Sequence, residues 1–423
     1  MAAMSNTLME NIVALCKRRG FVYPSFDIYG GLAGFFDYGP YGLALKNNIV
    51  SLWWKQFVTD REDVYGIDSA TVTKKEVLQA SGHVGGFVDP MVECKKCGER
   101  FRADEFGLEV VPASITDKSC IAARMPRELP CPKCGTKGEY TPPYMFQMMF
   151  KTNVGAKQDD TSVAYLRPET AQGIFVNFKN VIDSFHPKLP FGIAQIGKAF
   201  RNEIAPRDFL FRAREFEQME VEYFVKPAAW QEAFELWRTK MHEWVAAVGI
   251  DTAKVHEREV PESERAHYSK RTIDFEFDFP FGQKELYGLA YRTDYDLRNH
   301  AAARGVDLSY TDDETKEKFI PHVIEPSLGV GRTILAVLLS AYTEDEMNGE
   351  PRIYLRLKPV LAPVKAAVFP LLKNKPELVK KARDVYDSLR SALHDSRYTF
   401  AWDDNGNIGK RYRRQDEIGT PFC

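Results

Sequence analysis

The chain has 423 residues, of which 44% are apolar and 27% are charged, and its formal net charge is −2. This composition excludes a disordered chain, and it gives no overall basic charge, so any contact with nucleic acid would need a local basic patch. No apolar run reaches the roughly 18 residues of a membrane helix, and residues 1–10 lack the pattern of a secretory signal. We therefore expect a cytoplasmic protein of two to three domains that contacts no membrane.

The first half of the chain predicts helices around a glycine-rich loop and a cysteine-rich module. A short helix is expected over residues 10–20, and an aromatic, glycine-rich loop follows from Tyr29 to Gly39. This loop does not fit a phosphate-binding P-loop, because no Gly-Lys-Ser/Thr follows it. Apolar periodicity predicts a longer helix over residues 41–59. Residues 91–140 hold two pairs of cysteines, unlike the sequence on either side, and indicate an inserted module.

The second half predicts strands, one intervening helix and a smaller final domain. Pro227 and Gly249 bracket an amphipathic helix, with proline near its start and glycine past its end. Residues 272–279 and 285–292 predict a hairpin. Residues 352–423 begin with a strand and continue with a helix and another strand, which favours a small α/β domain.

An arginine and a glutamate close a predicted strand from Ile193 onward. With a period of two, Arg201 and Glu203 share one face at the strand's end. A guanidinium fork binds phosphate bidentately, and a carboxylate can accept from an exocyclic amine. The pair therefore suits ATP, with Arg201 on the α-phosphate and Glu203 on the adenine amino group. A surface ion pair is the alternative.

The next predicted strand carries Gln218, Glu220 and Glu222 on one face. A buried face with three polar acceptors is costly unless a cation or donors meet it. A substrate that carries an ammonium group would satisfy this requirement. A solvated strand face is the alternative.

A third motif runs from His322 to Leu339. The predicted strand at residues 322–325 leads into a glycine-rich turn, and a helix opens at Gly331 and Arg332. A helix N-terminus attracts anions, and Arg332 in the first turn adds a formal charge aimed the same way. The end of a triphosphate fits this pattern. A tight strand-to-helix connection is the alternative.

The chain contains two cysteine pairs with the spacing of a metal site. Each pair has the form Cys-x-x-Cys-Gly, which suits a tetrahedral zinc site with four thiolates, and metal-free reduced thiols are the alternative. The odd total of seven cysteines argues against a disulfide framework. The four predicted ligands are Cys94, Cys97, Cys131 and Cys134, whereas Cys16, Cys120 and Cys423 carry no signal.

These motifs resemble those of the class II aminoacyl-tRNA synthetases, and within them the homodimeric glycyl-tRNA synthetases. Phe200-Arg201-Asn202-Glu203 with a later arginine resembles the family's motif 2, and Gly329-Val330-Gly331-Arg332 before an apolar helix resembles motif 3. The helix at 41–59 with the strand near 64–72 resembles motif 1. Four further segments resemble the glycine-specific members: residues 29–34, 80–87, 166–173 and 291–297.

The resemblance implies an α+β fold and a division of the chain. A mostly antiparallel sheet of six or seven strands is flanked by helices, with a Cys-rich zinc insertion and a C-terminal α/β domain like the anticodon-binding domains. The expected parts are residues 1–90, the N-terminal part of the catalytic domain with motif 1; 91–140, the zinc-binding insertion; 141–350, the catalytic core with motifs 2 and 3 and a helical insertion at about 226–270; and 351–423, the anticodon-binding domain.

The final domain carries one candidate RNA contact. The basic run Lys410-Arg411-Tyr412-Arg413-Arg414 suits phosphate and base contact, and a solvated charge run is the alternative. The family pattern has a further strand and helix after the point reached at Cys423. The domain is therefore expected to be incomplete at its C-terminus.

The resemblance also implies a reaction and its site residues. The reaction is the ATP-dependent attachment of glycine to its tRNA through glycyl-adenylate, with Mg²⁺ and arginines offsetting the phosphate charge. The catalytic residues are Arg201, Glu203 and Arg332. The ATP-binding residues are Arg201, Asn202, Glu203, Phe211, Arg212, Phe216, Glu285, Leu286, Gly329, Gly331 and Arg332. The glycine-binding residues are Arg102, Glu169, Gln218, Glu220, Glu325 and Ser327.

The expected partners are glycine, ATP, tRNA(Gly) and a second copy of the chain. Two other functions stay open: activation of another small amino acid on the same scaffold, and a catalytically silent synthetase-like subunit that binds nucleic acid. The presence of Arg201 and Arg332 argues against the silent subunit. His83 and His322 lie near family motifs and are expected to be structural.

Overall fold

In the computed structural model, helices lie on both faces of a central sheet. The structure describes residues 2–103, 110–114, 117–122, 129–347, 349–392 and 399–423. Within these ranges the α-helices are α1 (Ala2–Arg19), α2 (Pro40–Trp54), α3 (Lys75–Ala80), α4 (His83–Gly86), α5 (Ala171–Phe185), α6 (Trp230–Ala247), α7 (Tyr295–Arg304), α8 (Val330–Ala341), α9 (Pro376–Ala392) and α10 (Ile408–Asp416). A π-helical turn, Lys55–Thr59, extends α2.

The strands of the same ranges fall into one large sheet and several smaller ones. In chain order they are β1 (Val22–Pro24), β2 (Phe36–Tyr38), β3 (Val64–Gly66), β4 (Val72–Lys74), β5 (Val88–Glu93), β6 (Arg100–Arg102), β7 (Val110–Ser114), β8 (Asp117–Ala122), β9 (Tyr144–Gln147), β10 (Lys151–Asn153), β11 (Val163–Leu166), β12 (Phe191–Phe200), β13 (Glu215–Val225), β14 (Val255–Glu259), β15 (Arg271–Phe279), β16 (Gly282–Thr293), β17 (Tyr310–Thr311), β18 (Lys318–Phe319), β19 (His322–Gly329), β20 (Tyr342–Met347), β21 (Glu350–Leu355), β22 (Ala366–Val368) and β23 (Phe400–Trp402).

A seven-stranded sheet forms the centre of the molecule, in the order β14-β15-β16-β19-β13-β12-β3. Its neighbours are antiparallel except for β12 and β3, which run parallel. The predicted mostly antiparallel sheet of six or seven strands is therefore the sheet that forms. Because successive side chains of a strand point to opposite faces, each strand places one set of side chains on each face of the sheet.

One face of the sheet is apolar along its whole length and is covered by α2, α6 and α8. Trp53 of α2, Trp237 of α6 and nearly all of α8 are buried there against strand residues such as Val221 and Ile324. The ring of Phe57, in the turn after α2, stacks on Trp237 with centroids 5.7 Å apart. This contact joins two helices that are distant in sequence.

The opposite face changes from apolar to polar along three central strands. At one end Phe191, Phe224 and Val323 pack under α5 and α7. At the other end the same face carries buried polar side chains: Gln195 on β12; Gln218, Glu220 and Glu222 on β13; and Glu325 on β19. The apolar end holds the helices in place, and the polar end is left for a site.

Two local predictions differ from the structure. β12 ends at Phe200, so Arg201 and Glu203 follow the strand rather than lying on it. The glycine-rich turn predicted after Glu325 is wrong, because β19 continues to Gly329 and passes directly into α8. Pairing with β16 on one side and β13 on the other keeps this segment extended despite its proline and glycines.

The predicted insertion contains a second sheet in the order β6-β5-β9-β8-β7. This sheet extends beyond the predicted limits, since β5 begins at Val88 and β9 ends at Gln147. Residues 104–109, 115–116 and 123–128 of the insertion lie outside the described residues. The limits 91 and 140 stay predictions.

The C-terminal segment packs against the rest of the chain through polar contacts. β22 and β23 are parallel, and α9 and α10 accompany them. Arg18 and Arg19 of α1 both donate to Glu417, and Asn48 of α2 donates to the carbonyl of Leu361. Residues 393–398 lie outside the described part, and the predicted boundary at 350/351 falls inside the β20–β21 hairpin and stays a prediction.

Across the described part of the chain, every helix is too short or too polar to traverse a bilayer.

Candidate active site

One cavity of about 560 Å³ opens at the polar end of the central sheet. This volume suits a small-molecule ligand. All of the residues predicted to bind ATP or glycine line it except Asn202, whose backbone N–H instead donates to the carbonyl of Met148 at 2.7 Å. The fold thus gathers residues from five separate stretches of sequence around one space, and their individual roles stay predictions.

Arg201 lies at one wall of the cavity, directly after β12. Its Nε donates to the carbonyl of Pro168 at 3.1 Å. Its guanidinium lies near two rings, 5.3 Å from the centroid of Phe216 and 5.5 Å from that of Phe87. The backbone bond and the rings hold the group at the wall of the cavity.

Arg332 enters the same cavity from the first turn of α8. Its Nη1 donates to the carbonyl of Glu285 at 2.9 Å and lies 3.2 Å from the carboxylate of that residue. The guanidinium also covers the ring of Phe211 at 4.5 Å. Arg332, and beyond it Arg201 and Arg212, hold the pKa of Glu285 below its usual range. Three guanidinium groups therefore converge near one carboxylate, which is an electrostatic setting for polyphosphate.

Arg214 fixes the loop that carries Glu203. Its Nε and Nη2 donate to the carbonyl of Glu203 at 3.0 and 2.8 Å, and its Nη1 donates to the carbonyl of Ala33 at 2.9 Å. Gly34 has φ +79°, and a Cβ there would lie 2.7 Å from a side-chain carbon of Pro206. The glycine-rich loop therefore packs on the arginine loop and sets its position.

A buried guanidinium organises the other end of the cavity. Arg292 is 1% exposed and donates from Nε and Nη2 to Asp296 at 2.9 and 3.0 Å. Its Nη1 donates to Glu325 at 2.7 Å, and its Nη2 lies 3.8 Å from Glu169. The sequence predicts no role for Arg292, although an arginine and an aspartate four residues apart, Arg292 and Asp296, could have suggested an ion pair.

Arg292 meets part of the polar sheet face that was predicted to meet a substrate cation. Glu220 is buried on the same face and lines the cavity with Glu169 and Glu325. A ligand with an ammonium group would therefore still meet carboxyl oxygens at this end.

The buried carboxylates divide into ionised and proton-holding groups. Burial alone would raise the pKa of Glu169, but His83, at 3.5 Å, and then Arg292 hold it well below the usual range. Burial, followed by the charge of Glu169, raises the pKa of Glu220. Burial raises the pKa of Glu325 to about 8, with Glu220 and Glu169 adding to the shift against the pull of Arg292. The floor is thus not fully charged at neutral pH.

Glu222 lies behind this floor. It is 0% exposed, and neither of its carboxyl oxygens has a hydrogen-bond partner among the described residues. It lies between the register pairs Glu220–Ser327 and Tyr223–Ile324, so Glu325 is its cross-strand neighbour. Burial and that neighbour raise the pKa of Glu222 well above its usual value. An uncharged acid is the form that such a position tolerates.

Hydrogen bonds aim the remaining polar groups into the cavity. Ser327 Oγ and Gln218 Nε2 both donate to one oxygen of Glu220 at 2.6 Å, and Thr170 donates to the other. Gln218 Oε1 is buried without a partner among the described residues, and Gln218 lines the cavity. This oxygen is available to accept from a ligand.

Three other predicted residues are placed as follows. Arg102 on β6 lines the cavity and donates to Asp89 at 2.5 Å. His83, expected to be structural, contacts Glu169 and so belongs to the site. His322 pairs with Tyr291 through a 2.6 Å contact and does not line the cavity.

The predicted metal ligands come together at the tip of the β5–β6 hairpin. Cys94, Cys97, Cys131 and Cys134 have sulfur atoms within 4.8 Å of one another. The Sγ–Sγ distances are 3.7 Å for Cys94–Cys134 and for Cys97–Cys131. A tetrahedron with zinc–sulfur bonds of about 2.3 Å has edges of about 3.75 Å, whereas a disulfide needs about 2.05 Å. The cluster fits a tetrahedral ion and not a disulfide.

The two cysteine pairs also share one backbone geometry. The N–H of Gly98 donates to the carbonyl of Cys94, and the N–H of Gly135 donates to that of Cys131, both at 2.8 Å. Both glycines have φ +70°. This conformation favours glycine and turns both sulfur atoms of each pair to one side.

The basic run of the C-terminal segment contains both enclosed and exposed side chains. Arg411 is 2% exposed and donates to the carbonyls of Pro370, Asp404 and Gly406. Arg413 donates to a backbone carbonyl, and Arg414 pairs with Asp403. Arg411 is therefore held inside the protein, whereas Lys410, Tyr412 and Arg413 are exposed, and their contact with RNA stays a prediction.

Family models match two parts of the chain. The model described as the tRNA synthetase class II core domain (G, H, P, S and T) matches residues 150–341, and an anticodon binding domain matches residues 365–423. Among solved structures, Giardia lamblia prolyl-tRNA synthetase in complex with prolyl-adenylate has a TM-score of 0.66 at 15% identity. That likeness covers 99% of this chain and 69% of the other, and it supports the fold.

Curated relatives match the chain over its length. The glycine–tRNA ligase of Thermobifida fusca is 51% identical, covering 100% of this chain and 91% of the relative. The chain belongs to the glycine–tRNA ligase family. The enzymes of Caldanaerobacter subterraneus and Streptomyces coelicolor are each 49% identical, over 98% and 99% of this chain and 90% and 91% of their own lengths. Membership of the glycine–tRNA ligase family confirms the predicted fold class and enzyme class.

Removing the buried cation should destabilise this member of the family. Arg292→Met leaves Asp296 and Glu325 buried without their counter-charge, which should cost about 3–5 kcal/mol of folding free energy. Thermal unfolding measures the effect. The matched control is Arg298→Met, which removes a surface arginine of the same helix region. Equal melting temperatures for the two variants would contradict the role given to Arg292.

Proposed function

We propose that this chain attaches glycine to tRNA(Gly) with ATP, through enzyme-bound glycyl-adenylate. The observation that carries the proposal is one cavity with two contrasting ends. Arg201 and Arg332 line the end near Glu285, and the carboxylates of Glu169 and Glu325 line the other. Activation of an amino acid by ATP needs such a pair of neighbouring subsites.

The arginine end is proposed to bind ATP. Arg201 would contact the α-phosphate, and Arg332, at the N-terminus of α8, would contact the far end of the triphosphate. Phe216 would stack on the adenine, and Glu203 would accept from its amino group. The rings and backbone carbonyls that already hold both arginines reduce the reorganisation that binding would require.

The acidic end is proposed to bind the glycine ammonium group. Glu169 supplies charge, Glu325 supplies charge once it ionises, and Gln218 Oε1 supplies an acceptor with no competing partner among the described residues. Glycine offers no side chain to recognise, so selection must come from its ammonium group and from the exclusion of larger side chains.

The reaction needs no nucleophile from the protein. The glycine carboxylate attacks the α-phosphorus, the bond to the bridging oxygen breaks, and pyrophosphate leaves. A terminal ribose hydroxyl of tRNA then attacks the carbonyl of the adenylate, and AMP leaves. The protein contributes positioning and charge, which is the usual source of catalysis in transfer to and from phosphate.

Two cations belong to this proposal. Mg²⁺ would accompany ATP, and the carboxylates of Asp274 and Glu285, which line the cavity, fit the one or two protein ligands that it takes beside phosphates. Zn²⁺ would be held by the four-cysteine cluster as a structural ion, since its sulfur spacing matches zinc.

A homodimer and a cytoplasmic location are also proposed. The motif 1 helix α2 presents a partly apolar groove of about 540 Å³ in which Val50, Trp54 and Ile196 take part. A second copy of the chain would cover it, because motif 1 forms the dimer interface in class II synthetases. Gel filtration with light scattering tests the dimer.

Of the alternative functions, neither is favoured by an observation. A synthetase for another small amino acid would be expected to match relatives of that specificity at comparable identity, whereas the relatives described above are glycine–tRNA ligases. A silent subunit would not need Arg201 and Arg332 in the cavity.

Substitution of Arg201 tests the ATP end. Arg201→Ala should lower glycine-dependent pyrophosphate exchange by about 10²-fold or more, because a preorganised donor to the phosphate is lost. Lys198→Ala, two residues before the end of the same strand and outside the cavity, serves as the control. Wild-type exchange by Arg201→Ala with retained folding would refute the assignment.

The pKa of Glu325 predicts how glycine affinity depends on pH. Below about 8 this carboxyl is largely neutral, and above it the carboxyl gains the charge that attracts ammonium. The KM for glycine should therefore fall about fivefold to tenfold from about pH 7 to about pH 8.5, while the amino group of glycine stays protonated. The KM for ATP over the same range is the control. A KM for glycine that is flat or rises would contradict this assignment.

Zinc removal tests the cysteine cluster. Metal analysis should find about one zinc ion per chain, and a strong chelator should lower the melting temperature because the ion stabilises the folded module. Cys131→Ser should lose the ion, whereas Cys423→Ser, outside the cluster, should keep it. Freshly purified protein without zinc would exclude the metal site.

A further inference from the structure

A loop from Val260 to Lys270 crosses the acidic end of the cavity. It joins the edge strand β14 to its neighbour β15 and contributes lining residues that include Ala266 and Tyr268. From the sequence these residues are expected only to belong to a helical insertion, with no function of their own. We call residues 260–270 the strap.

Tyr268 lies on the charged network of the glycine subsite. The centroid of its ring is 3.8 Å from the guanidinium carbon of Arg292, which itself bonds Glu325. The ring therefore covers the buried cation and also faces the cavity. Tyr268 and Glu325 both contact Arg292 and both line the cavity, so a substrate held by Glu325 would lie at the end of the cavity that Tyr268 lines.

The strap is held at both ends by its own arginine. Arg265 Nε donates to the carbonyl of Val260 at 2.8 Å, and its Nη1 donates to that of Lys270 at 2.5 Å. One guanidinium thus ties the two ends of the loop to each other. A loop joined across its base moves less than an open one of the same length.

Further contacts join the strap to the central sheet. The N–H of Val260 donates to the carbonyl of Thr272, and the N–H of Lys270 donates to that of Tyr291, both at 2.9 Å. Ser269 Oγ donates to the carbonyl of Arg271 at 2.8 Å. The ring of Tyr268 is therefore backed by Arg292 and carried by a fixed loop.

We propose that Tyr268 is a specificity-determining residue, the wall of the amino-acid subsite that excludes side chains larger than hydrogen. The inference deepens the proposed function and rests on it. Discrimination by overlap works only when the wall cannot yield, because a flexible wall would accommodate one extra methyl group at little cost. The pinned strap and the contact with Arg292 supply that rigidity.

The test compares glycine with alanine in pyrophosphate exchange. Tyr268→Ala should raise the ratio of kcat/KM for alanine to that for glycine by about 10-fold or more, the scale set by one methyl group. Tyr268→Phe keeps the ring and should keep the wild-type ratio. His267→Ala removes the neighbouring strap side chain, which does not line the cavity, and should leave the ratio unchanged.

A second variant tests the rigidity itself. Arg265→Met keeps Tyr268 but removes both bonds across the base of the strap. It should raise the alanine-to-glycine ratio by less than Tyr268→Ala does, and amide hydrogen exchange should quicken within residues 260–270. If the strap has only a structural role, Arg265→Met will quicken amide hydrogen exchange but leave the alanine-to-glycine ratio of kcat/KM unchanged. That result would overturn the proposal.

The remaining outcomes are also decisive. If Tyr268→Ala folds but has no measurable turnover, discrimination is measured by calorimetry as the ratio of the dissociation constants for glycyl- and alanyl-sulfamoyl adenosine. If Tyr268→Ala does not fold, Tyr268→Leu takes its place. A ratio equal to that of the wild type in these measurements overturns the proposal. Failure of the wild-type protein to activate glycine would instead contradict the proposed function, so the two failures are distinct.

Discussion

Arg292 is the cation around which the amino-acid end of the site is built. Its guanidinium bonds Asp296 at the start of α7 and Glu325 on β19, and it lies near Glu169 before α5. Arg292 is fully enclosed, so water cannot replace it as the partner of these carboxylates. Burying any of them without a counter-charge would cost free energy. One residue thus ties the sheet to two helices.

Under the proposed function, the two ends of the cavity would meet different physical requirements. Phosphates carry charge that guanidinium groups attract over several ångströms, so the half-exposed Arg201 and Arg332 would suffice to bind ATP. Glycine offers only an ammonium group, a carboxylate and the absence of a side chain. Its selection would need a close wall, and the buried, densely hydrogen-bonded acidic end fits that requirement.

The strands and the main site residues could be predicted because they leave local signals. Alternation with a period of two shows that Gln218, Glu220 and Glu222 share a face, and that inference holds in β13. The turn predicted after Glu325 fails because pairing on both sides keeps a proline and glycines extended, which depends on strands far away in sequence. The enclosure of Arg411 within the basic run could not be predicted either, since one of its acceptors, the carbonyl of Pro370, is 41 residues away.

What the sequence could not supply is which residues support others. The segment at 291–297 and the glycine-rich loop at 29–34 were visible as family signatures, but a signature does not separate a residue that binds from one that holds a binding residue in place. Arg292 holds carboxylates, and Gly34 lets its loop lie against Pro206, below the arginines. Both relations are contacts between residues distant in sequence, so they appear only when the chain is folded. Fixed partners of this kind give the cavity its shape before any ligand binds, and the proposed selection of glycine by size would depend on that shape more than on any single charge.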